Sequence, residues 1–229
     1  MLINHLYRWA CERLYAELAW SYDWVSWLVS LGQWQRWRAL ALAEMQGERI
    51  LELGFGTGEL LCAASATGRA IYGLELAPAM HGLTAQKLTQ RGLATPRVQA
   101  RAQAMPFADA TFDTIVATFP APYILETATL RECVRLLRPS PAGQNSASRL
   151  LIVGLWVRLR HPTLQRMMPL FYGAPGEAWL ERWQAQLTAA GLTATMTERT
   201  SGFAQVSIIS ATLKHGADQP PATDGAGDG

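Results

Sequence analysis

Arg49-Ile50-Leu51-Glu52-Leu53-Gly54-Phe55-Gly56-Thr57-Gly58 joins a short apolar run to three glycines at alternate positions. The run has the length of one buried strand, and the glycines mark a tight turn that opens the next element. Gly54 permits the turn, and Gly56 lets a ligand approach the backbone closely. A helix starting after Gly58 offers free N–H groups to a polar or anionic group. Glu75 follows 19 residues after Gly56, at the end of the next apolar run. An acid there can accept hydrogen bonds from both hydroxyls of a ribose, so the stretch implies an adenosine-containing ligand. The plainer reading is a strand–turn–helix corner whose glycines serve packing alone.

Outward from this corner, strands and helices alternate. Residues 58–67 read as helix, 70–75 as strand, 78–91 as helix and 97–101 as a weak strand. Residues 113–118 read as a buried strand, 125–138 as a helix stopped by Pro139, and 149–155 as another strand. Helical spacing returns over 163–172 and 176–190, with Gly191 as a C-terminal cap. Two strands, 192–199 and 203–212, then meet at Ser201-Gly202. The pattern predicts an α/β fold, Rossmann-like and doubly wound, with a mostly parallel seven-stranded sheet and a closing antiparallel hairpin.

Upstream, residues 2–20 have amphipathic helical spacing, and 21–45 continue as helix with a break near Gly32. Six of the nine tryptophans fall within the first 37 residues, which predicts an aromatic cap. The chain therefore divides into an N-terminal helical lid over 1–45, a ligand-binding domain over 46–214 and a disordered tail over 215–229, where large apolar groups are missing. Residues 139–148 form a polar loop between a helix and a strand.

Composition narrows the function. The 229 residues are 49% hydrophobic and 17% charged, enough for a sizeable core. A formal net charge of +2 does not suggest a nucleic-acid partner. Cys11, Cys62 and Cys133 are odd in number and widely spaced, which argues against a disulfide framework or a metal site and for a reducing, cytoplasmic compartment. Arg8, Glu12 and Arg13 interrupt the N-terminal apolar residues, so no secretory signal is expected, and the apolar stretch from Leu18 to Leu31 contains Asp23 and is too short to span a membrane.

The ligand follows from what surrounds the glycines. A nicotinamide fingerprint needs Gly or Ala at its sixth position, where this chain has Glu59. A carboxylate there repels a pyrophosphate, whereas two acids, Glu52 and Glu75, suit a cation. The stretch resembles the first motif of class I S-adenosylmethionine (SAM)-dependent methyltransferases, an acid followed by x-G-x-G-x-G. Tyr72-Gly73-Leu74-Glu75-Leu76-Ala77-Pro78-Ala79-Met80 is similar to that family's second strand and turn. Ala102-Gln103-Ala104-Met105-Pro106-Phe107 with Thr111-Phe112-Asp113 resembles its D-A-x-x-L-P-F…F-D stretch, with Gln103 in place of the acid that accepts from the adenine amino group. Arg135-Leu136-Leu137-Arg138-Pro139 resembles its L-R-P segment. Within the family, Tyr22-Asp23-Trp24-Val25-Ser26 is similar to the Y-D-x-M-N segment of ubiquinone/menaquinone biosynthesis C-methyltransferases, with Val25 for Met and Ser26 for Asn. Trp34 replaces their His, and Gly154-Leu155-Trp156 stands where they carry E-x-S.

The resemblance implies SAM as cofactor, S-adenosylhomocysteine (SAH) as product, and cofactor contacts from Tyr22, Glu52, Gly54, Gly56, Gly58, Glu75, Leu76, Gln103, Ala104, Met105 and Thr118. It implies no metal. Acceptor residues belong outside the C-terminal ends of the fourth and fifth strands, which selects Thr118-Phe119-Pro120-Ala121-Pro122-Tyr123. Phe119 and Tyr123 suit an apolar acceptor or simple core packing. Tyr123 and His161 are the catalytic candidates, although a lone His is more often structural; His81 is read as structural. Arg158, Arg160, His161 and Arg166, interleaved with apolar residues, read as a solvated helix face or as a peripheral contact with the inner membrane face. The expected activity is methyl transfer to a small hydrophobic acceptor, quinone-like or lipid-derived. Phospholipid N-methylation at a membrane surface and SAM binding without catalysis are the alternatives.

Overall fold

The structure is a computed structural model, and it describes residues 33–139, 148–160 and 177–214. The elements in chain order are α1 (Trp34–Glu44), β1 (Arg49–Leu53), α2 (Glu59–Ser65), β2 (Ala70–Glu75), α3 (Pro78–Gln90), β3 (Arg97–Gln99) and β4 (Thr114–Thr118). After a 3-10 turn (Pro122–Leu125) come α4 (Thr127–Leu136), β5 (Arg149–Leu159), α5 (Glu177–Ala189), β6 (Leu192–Ser201) and β7 (Ala204–Leu213). All seven expected strands are present.

They form one sheet in the order β3-β2-β1-β4-β5-β7-β6. β1 to β5 are mutually parallel, while β7 runs antiparallel between β5 and β6. The chain winds outward from β1 through β2 to β3, then returns to the other side of β1 with β4. A crevice opens at that reversal, outside the C-terminal ends of β1 and β4. The glycine loop lies there.

Side chains alternate between two cores because strand residues point to opposite faces in turn. Leu51, Leu53, Ile115, Ala117, Leu150 and Ile152 join one cluster with Leu130 and Cys133 of α4 and Trp183 and Leu187 of α5. Ile50, Val116, Leu151 and Val153 join the other with Trp37, Ala41 and Met45 and with Leu60, Leu61 and Leu88. Burial on both faces explains why these strands read as continuous apolar runs.

The helix at the end of the expected lid belongs to this second core. Trp37 is 1% exposed, Ala41 0% and Met45 3%, packed on the sheet. Burying a Trp- or Met-sized side chain contributes about 1.5–3 kcal/mol, so α1 packs as part of the domain's core. Within the 1–45 segment, residues 1–32 lie outside the described residues, and so do Tyr22, His161, Arg166 and the helix expected over 163–172.

The Phe112-Asp113 pair has a structural role. Asp113 Oδ2 accepts from the backbone N–H groups of Glu48 and Arg49, each at 2.9 Å, and Oδ1 accepts from Arg138 at 2.8 Å. These bonds pin the start of β4 to the start of β1, at the end of the sheet away from the crevice. Phe112 is fully buried and bridges to Leu137.

β5 is longer than its sequence suggests because Gly154 bends it without ending it. Its pairing with β7 shifts between Val153 and Val157, and Gly154 has φ +76°. The space above Gly154 is filled: a Cβ there would lie 2.2 Å from Phe119 Cε1. Phe119 itself has φ +49°, rare for a bulky residue. Its N–H donates to Val153 O at 2.7 Å, and its ring packs on Trp37 at 5.4 Å between centroids. Gly154→Leu combines left-handed backbone strain with overpacking, each about 1–3 kcal/mol. A fall in melting temperature on the order of 5–10 °C is expected; an unchanged melting curve would show that Phe119 moves aside at no cost.

Candidate functional site

The glycine loop is left-handed at all three glycines, with φ +67° at Gly54, +51° at Gly56 and +74° at Gly58. Two of the three are also needed for space. A Cβ on Gly54 would meet the Tyr123 hydroxyl at 2.5 Å, and one on Gly58 would meet Thr84 Cγ2 at 2.3 Å. Gly56 differs: among the described residues no atom lies within 4 Å of where its Cβ would be. Its open face is where a ligand can touch the backbone.

Thr84 braces the loop from α3. It is fully buried, and its hydroxyl donates to Gly56 O at 3.1 Å. Glu75 holds the other side. Its Oε2 accepts from Gly56 N–H at 3.0 Å, and its Oε1 accepts from Leu76 and Ala77 N–H at 2.8 and 2.9 Å. An ionised carboxylate has about four lone-pair sites, so a lone pair remains for ribose hydroxyls. Glu75 is thus both a ligand acceptor and the tie that shapes the loop. His81 is structural, as expected: Nε2 pairs with Glu75 O at 3.1 Å and the ring meets Phe55 edge-on.

Glu52 is 2% exposed, and its Oε2 accepts no hydrogen bond. Burial pushes its carboxyl up to about 8, partly countered by Arg38 and the Leu61 N–H, with Glu75 adding to the rise. Arg38 of α1, Glu52, Gly54, Gly56 and Thr118 line a common pocket beside the loop. Sequence reasoning missed Arg38, whose only signal is a cation next to the buried Trp37. Glu59 also lines this pocket, but it pairs with Lys87 at 2.8 Å and Arg91 at 3.1 Å. Burial pushes its carboxyl up, but Lys87 and Arg91 outweigh that and hold it below its ordinary value. The acid that distinguishes this loop from a pyrophosphate fingerprint is therefore already neutralised by its own neighbours.

Glu52 should make stability depend on pH with an unusual sign. Its folded value lies above its ordinary value near 4.5, so its contribution is fully present below that ordinary value. The contribution falls as pH rises towards 8. Glu59, Asp113 and Glu132, held below their ordinary values, act oppositely, and their contribution is lost in acid. Glu52→Gln removes only the first dependence. Relative to the unsubstituted protein, its unfolding free energy should be higher at pH 8 than at pH 5 by on the order of a few kcal/mol, read from denaturant melts at the two pH values. A gap constant with pH would mean that Glu52 is ionised in the fold.

The other expected contacts divide. Leu76 is 51% exposed beside Glu75, an apolar surface open to a ligand. Gln103 Nε2 donates to Glu126 Oε2 at 2.7 Å. That bond uses the amide N–H side and leaves the amide oxygen as an acceptor, which suits the role given to the missing Asp. Ala104 is exposed. Met105 does not fit its expected place: its side chain is 4% exposed in the core and its N–H donates to Glu132 Oε2 at 2.6 Å. Both of its binding groups are committed to holding the turn. On the acceptor side, Phe119 packs into the core through Trp37, whereas Tyr123 lies half-buried with its hydroxyl over Gly54.

Residues 50–140 match the family model of a methyltransferase domain. That stretch, from β1 to the end of α4, is similar to a methyltransferase domain. Over 111 residues it is 35% identical to the demethylmenaquinone methyltransferase of Thermus thermophilus, covering 46% of this chain and 50% of that protein. Over 136 residues it is 31% identical to a ubiquinone/menaquinone biosynthesis C-methyltransferase of Stenotrophomonas maltophilia, covering 55% and 53%. The chain thus spans about half the length of the curated relatives it matches. A SAM-dependent methyltransferase structure from Aquifex aeolicus shares the fold, with a TM-score of 0.56 at 18% identity over 77% of this chain and 89% of that one.

SAM is the cofactor of such a methyltransferase domain, and the residues present fit it. The open face of Gly56, the remaining acceptor capacity of Glu75 and the unpartnered Glu52 Oε2 offer room, a ribose acceptor and a carboxyl that a cationic ligand would draw into its ionised form. Bound SAM would supply a methyl group on a positively charged sulfur, and a domain of that kind then has to align donor with acceptor and exclude water. Among the described residues no helix is long and apolar enough to cross a membrane.

Proposed function

We propose that the protein transfers a methyl group from SAM to a small hydrophobic, quinone-like acceptor. The open Gly56 face beside Glu52 and Glu75 carries the reading. The curated relatives, named for quinone methylation, support the acceptor class. Tyr123 reaches from the acceptor side to the glycine loop and is the side chain we assign to contact the acceptor. A phenol ring offers an apolar face to an aromatic substrate and a hydroxyl to its oxygen. No acid faces the acceptor from the Thr118–Tyr123 segment, which disfavours an amine acceptor needing a paired carboxylate.

Incubation with methyl-labelled SAM and a prenylated naphthoquinol, alongside a total lipid extract, tests the proposal. Mass spectrometry should find the label on the quinol ring. Label confined to phospholipid headgroups, or no transfer to any lipid, would overturn it. Tyr123→Phe should then lower turnover more than SAM affinity.

A further inference from the structure

We propose that Phe119 is the platform on which the acceptor ring stacks, and that its fixed position favours a fused two-ring acceptor over a single ring. This rests on the quinone-like acceptor proposed above and adds the residue that selects among such rings.

Two aromatic side chains bracket the end of β4. Thr118, its last residue, lines the pocket beside the glycine loop. From there Phe119 turns towards β5, where its ring lies over Gly154 and against Trp37. The chain then runs through Pro120-Ala121-Pro122 and brings Tyr123 back towards β1, with its hydroxyl over Gly54. In the sheet β4 lies between β1 and β5, so the two rings flank its end from opposite sides. Phe119 packs with the core on the α1 side of the sheet and Tyr123 with the core on the other. A flat acceptor laid across the end of β4, beside the cofactor pocket, reaches both.

The backbone at Phe119 is what separates it from an ordinary core residue. Its φ of +49° is one that glycine adopts without strain and a bulky residue does not. The turn by itself needs no ring, and strain of this kind clusters at ligand sites. The ring also has no room to retreat. Its N–H is fixed to Val153 O at 2.7 Å, the buried Trp37 stands against it, and its Cε1 lies 2.2 Å from where a Cβ on Gly154 would be. Yet the residue is not closed off: Phe119 is half-buried, whereas Ile115, Val116 and Ala117 before it are fully buried. A ring that is backed, fixed and partly open needs no ordering when a second ring stacks on it. The gain from stacking grows with the face that is covered, so a fused ring system gains more than a single ring.

Titration calorimetry of the full chain saturated with SAH tests the platform without turnover. The probes are a ring-methylated naphthoquinone with a short prenyl chain and a ring-methylated benzoquinone with the same chain. Unsubstituted protein should bind the naphthoquinone more tightly. Phe119→Leu and Phe119→Met keep an apolar side chain of similar size and lose the ring. Both should weaken the naphthoquinone by roughly 3- to 10-fold and the benzoquinone by less than about twofold. SAH affinity should stay within about twofold in both variants, a result that a merely structural role for Phe119 does not give. Naphthoquinone affinity that ignores residue 119, or an equal loss for both rings and SAH, would overturn the platform and leave the quinone-like acceptor standing. SAH binding with no binding of either ring would overturn the platform and the acceptor class together.

Discussion

Gly56→Val should abolish SAM and SAH binding in a protein that stays folded. A Cβ at Gly56 meets no atom of the described residues within 4 Å, so the substitution creates no clash among them. Its folded-state cost is the strain of a side chain at φ +51°, about 1–2 kcal/mol, against a typical total of about 5–15 kcal/mol. The valine methyls instead occupy the ligand's own space. Gly92→Val is the matched control: its φ is +64°, its Cβ also meets nothing, and it lies at the far end of α3. The two variants should melt alike, while only Gly56→Val loses the heat of SAH binding in calorimetry. Normal affinity in Gly56→Val would move the site elsewhere.

Glu75→Ala should weaken SAM binding by about 1.5–3 kcal/mol through the loss of its charge-assisted bond to the ribose. That corresponds to roughly 10- to 160-fold in Kd. The structure adds a second contribution in the same direction, since the substitution frees the N–H groups of Gly56, Leu76 and Ala77. Hydrogen exchange at those three amides should therefore accelerate even without ligand. Glu75→Asp is one methylene shorter and should keep part of the affinity. A Kd within twofold of the unsubstituted protein in Glu75→Ala would remove the ribose assignment.

What the sequence made legible was local. Arg49–Leu53 and Ala70–Glu75 were bounded correctly because an apolar run ending in an acid or a glycine turn is a complete signal within six residues. Gly54, Gly56 and Gly58 were recognised for the same reason. Relations across the sheet were not legible. Arg38 lies 14 residues before Glu52, and only the burial of Trp37 brings it to the pocket. In the sequence β5 stops at Leu155 because a glycine inside a strand pattern resembles an ending, and its compensation, the Phe119 ring, comes from the turn after β4. Met105 was assigned to the cofactor by position within a motif, but its side chain and N–H serve the fold. Gln103 is held by Glu126, a partner 23 residues away that no local motif points to.

The contact between Phe119 and Gly154 bears on how the acceptor pocket can change over generations. The ring occupies the volume that any side chain at position 154 would need, so the two positions carry one degree of freedom between them instead of two. A larger residue at 154 becomes acceptable only in a lineage that has first shortened residue 119, and shortening 119 alone leaves a hollow against Trp37. Intermediates on either route are handicapped, which makes the pair resistant to drift. The wall between β4 and β5 therefore changes as a unit or not at all, and Tyr123, whose hydroxyl fills the space over Gly54, is tied to the glycine loop in the same way.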